Sequence, residues 1–189
     1  MLNEKSEKFY NSNLLAMEKS EYRYQELYET AIKLIPFNKN PKILDIGCGI
    51  GSFANYIHNI NYTNYVGIDF ADDLLNHARN RFPELKFKKG NFLDSKTLDK
   101  FKKFDLFVSF EVLEHIREDL KLVSAIPSKR IFIFSVPNIT GHGHVRYFLN
   151  IQSVIDRYKD LLIFDENSFD ITKLGKPHHH LFLFKTVRK

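Results

Sequence analysis

The sequence predicts an α/β fold, a doubly wound and mostly parallel sheet with helices on both faces. Three observations predict it. Short β-branched or aromatic runs alternate with stretches of helical period, in the order strand, helix, strand, helix. The fourth run, "FDLFVSF", is apolar almost throughout, as a strand covered on both faces must be. Three of the eight glycines, Gly47, Gly49 and Gly51, crowd into five residues directly after the first strand-like run. A doubly wound sheet brings its backbone up to a ligand at that point.

The elements follow in order. Residues 1–38 read as one or two leading helices, with Phe9, Tyr10, Leu14, Tyr24, Leu27 and Tyr28 among their apolar positions. "PKILDIG" is the first strand, and Ser52–Ile60 places Phe53, Ile57 and Ile60 at helical spacing. "NYVGIDF" is the second strand. Asp72–Phe82 is a helix whose acidic first turn suits the macrodipole. "KFKKGNF" is a third, partly alternating strand and Phe104–Phe110 a fourth. "EVLEHIREDLKLVSAI" predicts a helix, and Arg130–Asn138 a fifth strand halted by proline. "YFLNIQSVIDRY" then looks helical, and "LLIFD" and "HLFLFKTV" add short strands to make a seven-stranded sheet. No repeat, linker or low-complexity tract marks a boundary, so residues 1–189 read as a single domain.

Composition narrows the function classes. At 189 residues and 43% hydrophobic, the chain has ample material for a core. Cys48 is the only cysteine, which excludes intramolecular disulfides and cysteine-based zinc sites. The leading segment is too polar for a signal peptide, and no apolar run approaches the roughly 20 residues that span a bilayer. A soluble, cytoplasmic protein is expected. The formal charge of +5 mildly favours an anionic substrate or partner, although the lysines are scattered as on an ordinary solvated surface.

A plain turn needs one or two glycines; three imply that something approaches the backbone closely. A dinucleotide site wants glycine at the sixth place of G-x-G-x-x-G, where this chain has Ser52. The pattern is instead Asp45-x-Gly47-x-Gly49-x-Gly51. That "LDIGCGIG" segment resembles the first motif of the class I S-adenosylmethionine-dependent methyltransferases. "VGIDFADDLLNHAR", "GNFLD", "FDLFVSFEVLEHI" and "FIFSVPN" resemble the later ones, in order, over roughly residues 40–148. "HLFLFKTV" is similar to that family's last strand, which runs antiparallel.

The resemblance implies a site. Gly47, Cys48, Gly49 and Gly51 would lie along the methionine and ribose of the cofactor, with Cys48 a small filler. Asp45 would support the loop or reach the cofactor's amino group, and Asp69 would accept from the ribose hydroxyls. Phe70 and Phe92 would flank the adenine, Asn91 would accept from its amino group, and Phe110 would border the methionine. Asn91 stands where the family commonly has aspartate. Core packing is the competing role for Phe70 and Phe92.

Glu111, Glu114 and His115 fall at helical spacing, so a helix there would converge two carboxylates and an imidazole. With His144 they resemble the metal set of small-RNA 2′-O-methyltransferases, and the Glu-x-x-Glu-His segment also resembles ubiquinone-biosynthesis O-methyltransferases. A divalent ion such as Mg²⁺ or Mn²⁺ would suit these ligands. The alternative is metal-free chemistry, with His142 or His144 as general base and His115 bordering the cofactor. "KPHHHLFLF" cannot easily aim His178, His179 and His180 at one ion, because successive strand residues alternate faces.

The expected activity is methyl transfer from S-adenosylmethionine to an oxygen of a small polar or anionic molecule, leaving S-adenosylhomocysteine. An RNA 2′-O-methyltransferase and a non-catalytic cofactor-binding subunit are the alternatives.

Overall fold

In the computed structural model, which describes residues 5–141, 143–172 and 176–189, seven strands form one sheet. They are β1 (Ile43–Ile46), β2 (Tyr65–Asp69), β3 (Lys86–Lys89), β4 (Leu106–Phe110), β5 (Ile131–Pro137), β6 (Leu162–Thr172) and β7 (His180–Arg188). Their spatial order is β3-β2-β1-β4-β5-β7-β6. Strands β1 to β5 pair in parallel, and β7 inserts antiparallel between β5 and β6. The order reverses between β1 and β4, which opens a crevice at their C-terminal ends. The expected architecture, including the antiparallel last strand, is the one observed.

Period-two alternation divides the sheet into two cores. Leu44, Ile46, Phe107, Phe132 and Phe134 face one way, onto α7 (Asp119–Ala125) and α8 (Ile151–Tyr158). Ile43, Tyr65, Val108 and Ile133 face the other, onto α3 (Gln25–Lys33), α4 (Ser52–Asn59) and α5 (Asp72–Arg81). Both faces are covered, so the strands bury every residue of β1, β2 and β4.

A carboxylate lies in the second core. Asp45 is 2% exposed, and its carboxylate accepts a 2.5 Å hydrogen bond from the Tyr65 hydroxyl. Burial lifts its carboxyl from the ordinary 3.8 to about 7, partly opposed by that bond. Close by, Gly67 is required by packing: a Cβ there would stand 2.8 Å from Cys48 Sγ and 2.8 Å from Phe87. The lone cysteine thus fills the hollow that Gly67 leaves.

The leading segment differs in detail from the expectation. It forms α1 (Glu7–Asn11), α2 (Leu14–Ser20), a 3-10 turn (Glu21–Tyr24) and α3. The first two helices are a strap across the sheet edge, and polar bonds hold the strap to α5. Lys89 Nζ lies 3.0 Å from Glu7 and 2.5 Å from Asp72; His77 meets Glu18 and Arg81 meets Glu21, each at 3.1 Å. The residue before α5 is Ala71, which has no capping side chain. Glu7 and Asn11 supply the missing acceptors, taking the N–H groups of Asp72 and Asp73 at 3.0 and 3.3 Å. Helix α8 carries its own capping box, Asn150 with Ser153.

Two outcomes are expected. A carboxyl whose folded pKa is raised favours folding below its unfolded pKa and loses that contribution as pH rises through the folded value. The stability difference between wild type and Asp45→Asn should therefore shift against wild type between pH 4 and pH 7, which denaturant melts across that range would show. The Glu7→Ala/Asn11→Ala pair should speed amide exchange at Asp72 and Asp73 well beyond that of the sheet, while leaving the global melt nearly unchanged.

Candidate active site

Strand β1 ends at Ile46, and the chain turns over glycines with positive φ, +75° at Gly47, +52° at Gly49 and +80° at Gly51. The turn is fixed from below: Gly47 N–H and Cys48 N–H both donate to Ile68 O, at 2.8 and 3.1 Å. At Gly47 a side chain is also excluded sterically, because a Cβ would come 2.4 Å from Val112 Cγ2. Asp69 closes β2 beside this turn. Its two oxygens accept from Gly49 N–H and Ala71 N–H, each at 3.0 Å. Burial pushes the Asp69 carboxyl above its usual range, against the pull of those N–H groups. Each carboxylate oxygen keeps a second lone pair for a ligand.

These residues form the floor of a cleft of about 500 Å³. Of the ten residues expected to hold a cofactor, Gly47, Cys48, Gly49, Asp69, Phe70, Asn91, Phe92 and Phe110 line it. Asp45 does not; it points into the core at Tyr65. Gly51 does not either. It lets α4 settle on α5, since a Cβ there would meet Phe82 and Ala78 at 3.2–3.3 Å. Asn91 Oδ1 accepts the Leu93 N–H at 2.9 Å, which leaves one lone pair for a ligand. Cys48 is buried, and burial pushes its thiol far above the ordinary range, so it is no nucleophile. The strap supplies the roof with Phe9, Tyr10, Met17 and Tyr24. Tyr10 packs edge-on against Phe70 at 5.4 Å and His115 at 5.9 Å. Sequence reasoning saw these aromatics only as apolar positions; nothing local in sequence links them to the glycine turn.

At the acceptor end the expected helix from Glu111 does not form. Glu111 has φ +57°, its N–H donates to Ser135 O at 3.3 Å, and its carboxylate accepts from the Ser135 hydroxyl at 3.0 Å. A short 3-10 turn, Leu113–His115, follows, and α7 begins only at Asp119. Helical spacing therefore fails to join Glu111 to Glu114 and His115. Bonding to the neighbouring strand has overridden the local pattern.

Glu114, His115 and His144 do come together, with one potential ligand atom of each within 4.8 Å of the others. Glu111 is not in that group. The two imidazoles meet edge to face at 4.6 Å, and His115 Nε2 is 3.7 Å from Glu114 Oε1. His144 Nδ1 lies 3.1 Å from Ile139 O. A carbonyl can only accept, so His144 Nδ1 is the donor in this bond. Burial, helped by His144, lowers His115 to about 4, so it is neutral at pH 7. His142 lies outside the described residues. His178, His179 and His180 do not line the cleft; His180 begins β7 and faces Asp170 at 2.6 Å.

Residues 44–127 match a family model described as a methyltransferase domain. A protein of Mycolicibacterium smegmatis named a probable S-adenosylmethionine-dependent methyltransferase is 28% identical over 100 residues, 51% of this chain and 38% of that protein. The match thus spans less than half of that relative's length. Among solved structures, magnesium protoporphyrin IX methyltransferase of Synechocystis with bound S-adenosylhomocysteine superposes with TM-score 0.70 at 14% identity, over 92% of this chain and 87% of that one. A chain of the Haloferax volcanii complex of the Trm112 methyltransferase activator gives TM-score 0.73 at 14% identity, over 95% and 94%. No helix among the described residues is long and apolar enough to cross a membrane. Over residues 44–127 in sequence, and in its fold, the chain is similar to the class I, Rossmann-like S-adenosylmethionine-dependent methyltransferases.

Proposed function

We propose that this chain binds S-adenosylmethionine in the cleft and moves its methyl group to an oxygen of a small polar acceptor. One observation carries the reading: a buried carboxylate and an open glycine turn lie side by side at the crevice where strand order reverses. Asp69 can accept both hydroxyls of a ribose, and the glycines leave the turn's backbone bare where the nucleoside thioether would lie. Phe70 and Phe92 offer apolar surface for a base, and Phe110, packed on Phe53 and Tyr28, borders the far half.

When bound, the sulfonium supplies a methyl group on a neutral leaving thioether, so no acid is needed. The chain's own part is to align the acceptor behind the methyl group and keep water out. The aromatic roof, Tyr10 above all, does the second. For the first, His115 and His144 with Glu114 would either take a proton from the acceptor hydroxyl or hold a divalent cation such as Mg²⁺ or Mn²⁺. The ligand set proposed is these three residues, with Glu111 left to its bond with Ser135.

The same electrostatics bear on the acceptor. Glu21 and Glu111 line the cleft, with Glu114 behind His115, whereas Lys5 is the one lysine or arginine among the described lining residues. An anionic acceptor would thus be repelled unless a cation sat among these carboxylates. An RNA reading finds no stripe of cations here to neutralise successive phosphates.

Calorimetry tests both halves. S-adenosylhomocysteine should bind the wild type, and Asp69→Ala should weaken binding by about 100-fold or more, as for two lost charge-assisted hydrogen bonds. Unchanged affinity would remove the cofactor reading. Mn²⁺ should give a further heat that Glu114→Gln or His144→Ala abolishes and Glu111→Gln retains. Loss in Glu111→Gln alone would point to a different ligand set.

A further inference from the structure

We propose that Arg146 is a positioning residue: through one half-buried guanidinium it locks the histidine loop after β5 onto the 113–117 turn, and so sets His144 against His115. The proposal rests on the site reading above, and Arg146 itself neither lines the cleft nor offers a candidate ligand atom.

The contacts are dense. Arg146 Nη1 donates to both Leu113 O and Ile116 O, and Nη2 to Arg117 O at 3.0 Å. Three carbonyls of this short turn are thus capped by one side chain, with Leu113 O also taking the Ile116 N–H at 3.4 Å. The main chain adds two more bonds in the same direction, Val145 N–H and Arg146 N–H to Glu114 O at 2.7 and 3.3 Å. Residues 113–117 and 144–146 therefore move as one piece, and each carries part of the Glu114–His115–His144 group.

A half-buried guanidinium gains from a counter-charge, and the fold provides one outside the site. Asp119, fully buried, lies 3.1 Å from Arg146 Nη2. Its carboxylate also takes a fork from Arg157 at 2.6 and 2.6 Å and the Tyr158 hydroxyl at 2.7 Å. Only Arg146 reaches from this cluster to the turn carbonyls. Arg157 anchors α8 to the same aspartate without touching the turn, so it is the natural control.

The variants Arg146→Gln and Arg157→Gln separate a positioning role from a merely structural one. Thermal melts, Mn²⁺ titration, S-adenosylhomocysteine calorimetry and ¹H–¹⁵N imidazole spectra would be recorded on each. Both variants should melt lower, and both should keep wild-type affinity for S-adenosylhomocysteine. Only Arg146→Gln should lose Mn²⁺ affinity, by about 10–100-fold as for other groups that orient metal ligands. It alone should also lose the Nδ1-protonated signature of His144. Equal effects in the two variants, or an unchanged His144 spectrum in Arg146→Gln, would overturn the proposal. Should wild type bind S-adenosylhomocysteine but no Mn²⁺, the metal reading fails by itself. The His144 spectrum then decides the role of Arg146.

Discussion

The Asp69 carboxylate, held under the glycine turn, is the interaction on which the site's arrangement depends. It joins the first strand's turn, through Gly49 N–H, to the start of α5, through Ala71 N–H. A buried carboxylate is costly unless hydrogen bonds satisfy it, and here the satisfying groups are the two pieces of backbone that must be held apart by a fixed gap. The same atoms that make the charge tolerable thus shape the crevice. Gly47 and Gly67 follow from this constraint, one pressed against Val112 and the other against Cys48, so the turn can neither rise nor sink.

Beyond the turn, the two ends of the cleft are held by different physics. The acceptor end is tied by buried, charge-assisted bonds that converge on Asp119, where loss of any one partner leaves another without compensation. The cofactor end is roofed by α1 and α2, whose polar ties to α5 are half exposed and screened by solvent. A rigid wall therefore faces a loosely fastened roof. Alignment of an acceptor needs the first, and exchange of cofactor for product needs the second.

Much of this was legible in the sequence, for identifiable reasons. Strands β1, β2, β4 and β5 are buried on both faces, so their apolar runs cannot be mistaken, and the glycine spacing singles out the turn between β1 and α4. Asp69, Phe70, Phe92 and Phe110 sit at strand ends or just past them, where position along the chain fixes position in the cleft. Misreadings arose wherever a distant bond overrode a local pattern. Glu-Val-Leu-Glu-His has helical spacing, yet Ser135 on the neighbouring strand takes Glu111 away and turns it left-handed. Asp45 has the motif's position, yet it answers to Tyr65 across the core. Strand β6 runs for 11 residues, well beyond "LLIFD", because β7 offers it a partner across an irregularity between Phe164 and Ser168. Strap contacts such as Glu7 with Asp72 span 65 positions and leave no local trace.

The borrowed caps of α5 give the roof a further property. When the strap lifts, Asp72 N–H and Asp73 N–H lose Glu7 and Asn11 and turn to water, an exchange between nearly equivalent partners. The ion pairs released with them are each worth little in solvent. The polar ties therefore add little to the closed form, which rests on Tyr10, Leu14 and Met17 packed against Ile50, Ala71 and Leu74, and a bound molecule touching Tyr10 and Phe70 from below would add to that apolar contact. Occupancy of the cleft, rather than any fixed latch, would set how long the N-terminal segment stays folded down.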